Sequence, residues 1–75
     1  MKENEFISFM HDYINNNYEN IPSEFYLKDI IPNPQSHWGV FLHKAVDNRE
    51  FPNIEFMGVI DGADKYRKIT ISNNS

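Results

Sequence analysis

The run Ser36–Asn48, Ser-His-Trp-Gly-Val-Phe-Leu-His-Lys-Ala-Val-Asp-Asn, leaves the chain the least conformational choice. Trp38, Phe41, Leu42, Ala45 and Val46 recur at the spacing that gathers side chains on one stripe of an α-helix. Ser36 stands just before the periodic run, where its hydroxyl suits free backbone N–H groups as an N-cap. At about 100° per residue the opposite side carries Ser36, Gly39, Val40, His43, Lys44 and Asp47, with His37 at its margin. That side is mixed, lightly charged and open around Gly39 and Val40. It is the candidate contact face.

The 75 residues make a single domain, 1–75, with a small core. Six Phe, four Tyr and one Trp supply much of the apolar area that holds such a core together. There is no cysteine, so disulfides and thiolate metal sites are excluded. No apolar run approaches the roughly 18 residues of a membrane span, and Met-Lys-Glu-Asn-Glu is no secretory signal. A cytoplasmic protein without a membrane partner is expected. The net charge of −4 is unevenly placed. Residues 1–35 set Lys2 and Lys28 against six carboxylates, whereas basic and acidic residues balance over 36–75. Dedicated nucleic-acid binders are usually basic, because phosphate contacts dominate their affinity. A DNA-binding role therefore has to rest on a local patch, and the acidic first half suits a protein partner.

Residues 3–17 read as a first helix, with Phe6, Phe9, Met10, Tyr13 and Ile14 as its apolar stripe and Asn15–Asn17 as its end. Core packing is the plain reading of that stripe; a homodimer seam is the alternative. Phe25–Leu27 fits a very short strand or the lead-in to a short helix over Lys28–Ile31, closed by Pro32 and Pro34. Ile54–Ile60 and Lys65–Ile71 read as two strands joined by Asp61-Gly62-Ala63-Asp64, in which Asp-Gly is a strong hairpin signal. Ser72–Ser75 reads as a frayed tail.

Three helices, a short strand between the first two and a C-terminal β-hairpin form an α+β domain with the element order of a winged helix-turn-helix. Three segments sharpen the comparison: Phe25-Tyr26-Leu27-Lys28-Asp29-Ile30, Trp38-Gly39-Val40-Phe41 and Lys65-Tyr66-Arg67-Lys68. Over roughly residues 25–69 the chain resembles a family of short proteins of unknown function from Gram-positive bacteria and their phages and mobile elements. The resemblance implies a winged-helix-like fold and a phage or mobile-element origin, and it brings no activity with it.

Catalysis is not expected. No Gly-rich phosphate loop or nucleophile elbow occurs, and so small a core builds a water-excluding cleft with difficulty. His37 and His43 lie six apart, an offset of about 120° on a helix, so they share no metal. Neither a metal nor another cofactor is expected. The candidate binding residues are Gln35, Ser36, His37, Val40, His43 and Lys44 on the central helix, with Lys65, Arg67 and Lys68 on the hairpin. In a winged helix the hairpin lies beside the recognition helix, which sets Lys65 and Arg67 on phosphates and the helix face in a major groove of double-stranded DNA. The plainer reading is that the basic residues balance Asp61 and Asp64. Two functions follow: a small DNA-binding module regulating phage or mobile-element genes, or an interaction protein that inhibits a basic partner such as a host nucleic-acid enzyme.

Overall fold

The computed structural model describes residues 2–69. The far end of the expected second hairpin strand (70 and 71) and the expected tail (72–75) lie outside the described residues. Two helices, α1 (Glu3–Asn17) and α2 (Ser36–Asp47), pack with an antiparallel sheet of β1 (Glu24–Tyr26), β2 (Ile54–Ile60) and β3 (Ala63–Lys68). The strand order is β1-β3-β2, with β3 in the centre. This is an α+β domain.

Periodicity places both helices where the sequence suggests. In α1 the stripe Phe6, Met10 and Ile14 is buried. Phe9 is left exposed and packs its ring on half-buried Tyr13, with centroids 6.1 Å apart. The Lys2 N–H donates to the Glu5 side chain at 2.8 Å, tying down the start of the helix. In α2, Leu42 and Ala45 are buried, while Trp38, Phe41 and Val46 pack against the core from its edge. Ser36 is not the N-cap. Gln35 occupies that position without a side-chain cap, and Ser36 is the first helical residue.

Three helices were expected, but among the described residues there are two α-helices. After β1 the chain makes one turn of 3-10 helix over Leu27–Asp29, and the Ile30 and Ile31 N–H groups both donate to the Leu27 carbonyl. The physical reason is length. Only Leu27–Ile31 separate β1 from Pro32, and a proline disfavours helical geometry in the residue before it. An α-helical nucleus fixes several residues for its first bond, and here it has no room to propagate. The Asp29 carboxylate closes the turn by accepting from the Tyr26 N–H at 2.8 Å.

The hairpin is joined by two residues. Asp61 and Gly62 both have positive φ (55° and 79°), as a type I′ turn requires. Ala63 and Asp64, expected in the turn, belong to β3. Phe56 pairs with Tyr66 and Gly58 with Lys65, so Met57 is the extra residue of a β-bulge. Gly58 adopts φ 124°, a region that side chains avoid. Beyond the bulge, Val59 pairs with Asp64 and Ile60 with Ala63.

One face of the sheet carries Phe25, Ile54 and Tyr66 into the core with Phe6, Met10 and Leu42. A second 3-10 turn, Tyr18–Asn20, anchors the end of α1 to the sheet. The Tyr18 hydroxyl donates to the Ile69 carbonyl at 3.2 Å, and Lys68 Nζ donates to the Tyr18 carbonyl at 3.1 Å.

Two positive-φ positions give opposite stability predictions. Past the end of α2, the Arg49 N–H donates to the Val46 carbonyl and the Glu50 N–H to the Ala45 carbonyl, with Arg49 at φ 63°. This is a Schellman closure with arginine where glycine is preferred. Arg49→Gly is expected to raise stability by about 0.5–1 kcal/mol. Gly58→Ala is expected to lower it by more than about 1 kcal/mol. Urea midpoints for the two variants check both signs.

Candidate functional site

The ribbon of β2 and β3 lies beside α2, and His43 is the link. Its Nδ1 is 3.3 Å from an Asp64 carboxylate oxygen, and its ring meets Phe56 edge-on with centroids 4.4 Å apart. Both partners lie on the helix-facing side of the ribbon, so the half-buried imidazole holds helix and hairpin together. From that junction the outer side of α2 runs through Ser36, Val40 and Asp47, with Gln35, His37 and Lys44 at its borders. Gln35, Ser36, His37, Val40 and Lys44 are all exposed. Val40 is 65% exposed, the fullest presentation of an apolar side chain on either helix. Lys44 reaches back to α1, its Nζ 3.4 Å from a Glu3 carboxylate oxygen.

The bulge extends this surface onto the hairpin. An unbroken ladder would set Met57 opposite Lys65 and turn Val59 to the side shared with Lys65. With Met57 looped out, Val59 pairs with Asp64 and takes the side that faces α2. Near the tip the ribbon passes beyond the helix, and Val59 is 68% exposed there. Met57 and Ile60 are exposed as well. Val40 on α2 and Val59 on the hairpin thus flank the junction made by His43 and the Asp64 carboxylate, while Ile60, paired with Ala63, turns to the other side of the ribbon. Asp47 and Asp61, both exposed, enter no ion pair among the described residues.

The basic residues of the hairpin do not join this face. Tyr66 points into the core, so strand alternation turns its neighbours Lys65 and Arg67 to the opposite side of the sheet. There Lys65 Nζ lies 3.2 Å from Glu24 on β1, and Arg67 Nη2 lies 2.6 Å from Glu55 on β2. Lys65 also sits 5.7 Å from the centre of the Tyr26 ring. The hydrogen bond to Glu24 raises the Lys65 pKa, the sign expected for an ammonium held by a carboxylate. Lys68 is turned to Tyr18, with Nζ 4.8 Å from its ring centre. The expectation that Lys65 and Arg67 lie beside the α2 face is therefore corrected. Of the nine candidate residues, six lie on α2 or its start, Lys65 and Arg67 lie on the outer side of the sheet, and Lys68 is held against Tyr18 apart from both. The plainer expectation holds in kind but with other carboxylates: Glu24 and Glu55 take the cations, and Asp64 holds His43.

Tyr66 is the residue that sequence reasoning left unassigned. It is 1% exposed and packed between Phe25, whose ring stacks on it, and the tilted ring of Phe56, with centroids at 5.9 and 5.7 Å. Its hydroxyl has no hydrogen-bond partner among the described residues, and neither does the Trp38 indole N–H. The period of two across Lys65-Tyr66-Arg67 was the available signal, since two charged residues flanking an aromatic place the ring inward.

Among the described residues no three His, Asp or Glu side chains converge as a metal site. No helix among them is long and apolar enough to cross a membrane.

Burial, and after it the Asp64 carboxylate, raises the Tyr66 pKa above its ordinary 10.0. A raised folded-state pKa means that the unfolded chain loses this proton first as pH rises. The Tyr66 contribution is therefore complete below pH 10 and is lost above it. Urea midpoints between pH 8 and 11 are expected to fall above about pH 10, and to fall less in Tyr66→Phe. An equal fall in both proteins contradicts this assignment.

Compared with known protein families, curated proteins and solved structures, the chain has no match.

Proposed function

We propose that the protein is a small interaction module that binds another protein through the joined face of α2 and the hairpin tip. The exposed apolar side chains Val40 and Val59, with the carboxylates Asp47 and Asp61 that enter no ion pair among the described residues, are the observation that carries this reading. Such a face suits a partner with an apolar centre and a basic rim, because desolvated apolar anchors supply affinity and rim charges supply steering. The partner class is a basic protein, such as an enzyme that handles nucleic acid. The sheet order β1-β3-β2 and the helix beside the hairpin fit a winged-helix plan whose middle helix has shrunk to one 3-10 turn.

A DNA-binding role keeps support from Gln35, Ser36, His37 and Lys44 on the open side of α2. It is the weaker reading. Lys65 and Arg67 face away from α2 and Lys44 is paired, so phosphates would have to compete with Glu24, Glu55 and Glu3.

Capture from a nuclease-treated lysate of the producing cell separates the two. The wild-type chain is expected to retain a protein partner. The double variant Val40→Glu/Val59→Glu is expected to lose roughly tenfold or more of that retention, and Arg67→Ala to keep it. Retention that vanishes with nuclease, or that follows Arg67 instead of Val40 and Val59, transfers the function to DNA.

A further inference from the structure

β2 lies at an edge of the sheet, and among the described residues no strand pairs with its free side. Of the five large apolar side chains left exposed among those residues, three (Met57, Val59 and Ile60) stand on this one strand. We infer that the protein partner lays an extended segment with basic ends along β2, as a fourth strand of the sheet. The inference rests on the protein-binding role proposed above and names the part of the partner that performs it.

The backbone is the first reason. Edge strands are commonly blunted by lysine, proline or a bulge. Ile54–Ile60 has neither lysine nor proline, and its single charged residue, Glu55, is paired with Arg67. The bulge does not blunt it either. Asp61-Gly62 is a two-residue turn, so Ile60 and Ala63 exchange ladder bonds and Val59, one step on, turns its N–H and C=O away from β3. At the far end the Ile69 N–H donates to the Asn53 carbonyl. Alternation from there turns Glu55 towards β3 and the Phe56 N–H and C=O away from it. Tyr66 and Asp64, which face Phe56 and Val59, are two residues apart on β3. The bulge therefore leaves Phe56 and Val59 at the spacing of alternate residues in a regular strand. An extended chain laid along the edge meets both sets of groups in register.

The side chains name the occupant. Phe56 and Val59 lie on the helix-facing side, so the residues set opposite them in an added strand stand on that side too. One covers Val59; the other reaches a groove of about 480 Å³ between the end of α2 and β2. Val46, Ile54 and Phe56 give the groove an apolar wall, and its charged lining is Asp47, Arg49 and Glu55, two carboxylates against one guanidinium. Asp61 follows Ile60 at the other end of the edge, and neither it nor Asp47 enters an ion pair among the described residues. Basic residues at both ends of the added strand thus meet a carboxylate at each end. A second copy of this chain fits worse. Laid antiparallel, with Phe56 of one copy against Val59 of the other, it sets Ile60 opposite Glu55. Asp61 then falls beside Ile54, at the groove that carries Asp47, so like charges meet twice.

Amide NMR spectra of the full chain, titrated with the peptide acetyl-Lys-Val-Thr-Val-Lys-amide, test the edge without any partner. Saturable shifts along residues 54–60 and 46–49 are expected. The same peptide methylated on every backbone nitrogen keeps its side chains and should bind roughly tenfold more weakly. A version with Glu in place of both Lys should bind roughly threefold more weakly, a difference that salt removes. Val59→Pro deletes an outward N–H and no bond to β3, so it should abolish the shifts, whereas Val59→Ile should keep them. Absent or unsaturable shifts, or equal binding of the methylated peptide, overturn strand addition and leave the Val40/Val59 result standing; equal binding of the Glu version overturns the basic ends. Sedimentation of the chain alone should show a monomer, and a dimer that Val59→Pro dissolves would give the edge to a second copy instead. Val59→Pro should also lower partner capture roughly fivefold below Val59→Ile. Capture that survives Val59→Pro, where the peptide no longer binds, overturns the assignment of the strand to the partner.

Discussion

The pairing of β3 with its neighbours around Tyr66 decides which face each charged side chain occupies. With Tyr66 opposite Phe25 on one side and Phe56 on the other, three aromatic rings share the helix-facing side. Lys65 and Arg67 then have one place to go, the outer side, where Glu24 and Glu55 stand within ion-pair reach. A one-residue slip would bury charge and expose the rings, so the register is strongly specified. The distribution of charge on the surface is thus a consequence of core packing. That distribution removes the hairpin cations from the α2 face and leaves the face apolar with an acidic border.

A small core concentrates the remaining compromises. Among the described residues twelve apolar side chains form it, drawn from both helices, all three strands and the segments between them. There is no spare length for a middle helix, and the Leu27–Asp29 turn brings Leu27 and Ile30 to the core in a single 3-10 winding. The anchoring of Tyr18 to Ile69 and Lys68 does the work of a longer interface between α1 and the sheet. Asn33, Arg49 and Asp61 hold positive φ without being glycine, and the buried Trp38 N–H and Tyr66 hydroxyl have no hydrogen-bond partner among the described residues. In a domain this size each such cost is a visible fraction of the total stability.

Much of this arrangement is readable from residue spacing. The stripes Phe6-Met10-Ile14 and Trp38-Leu42-Ala45 specify helices by period, and Asp61-Gly62 specifies a tight hairpin by its tolerance of positive φ. The absent middle helix was harder, because Lys28–Ile31 has acceptable propensity and fails only for want of length before Pro32. The bulge at Met57 left no trace beyond the glycine that follows it, and without the bulge Val59 reads to the wrong side. The contact face was legible on α2, where Val40 and its neighbours lie open as the periodicity requires. Its extension onto the hairpin was not, since ion pairing of Lys65 and Arg67 depends on strand neighbours distant in sequence.

The claim on which the functional account turns is the offset pairing at the hairpin tip. Cross-strand proton contacts measured by NMR test it directly. The account predicts contacts between Phe56 and Tyr66 and between Val59 and Asp64, with Met57 unpaired. Contacts of Met57 with Lys65 and of Val59 with Ala63 would contradict it, for Val59 would then share a side with the paired cations and the apolar face beside α2 would not exist.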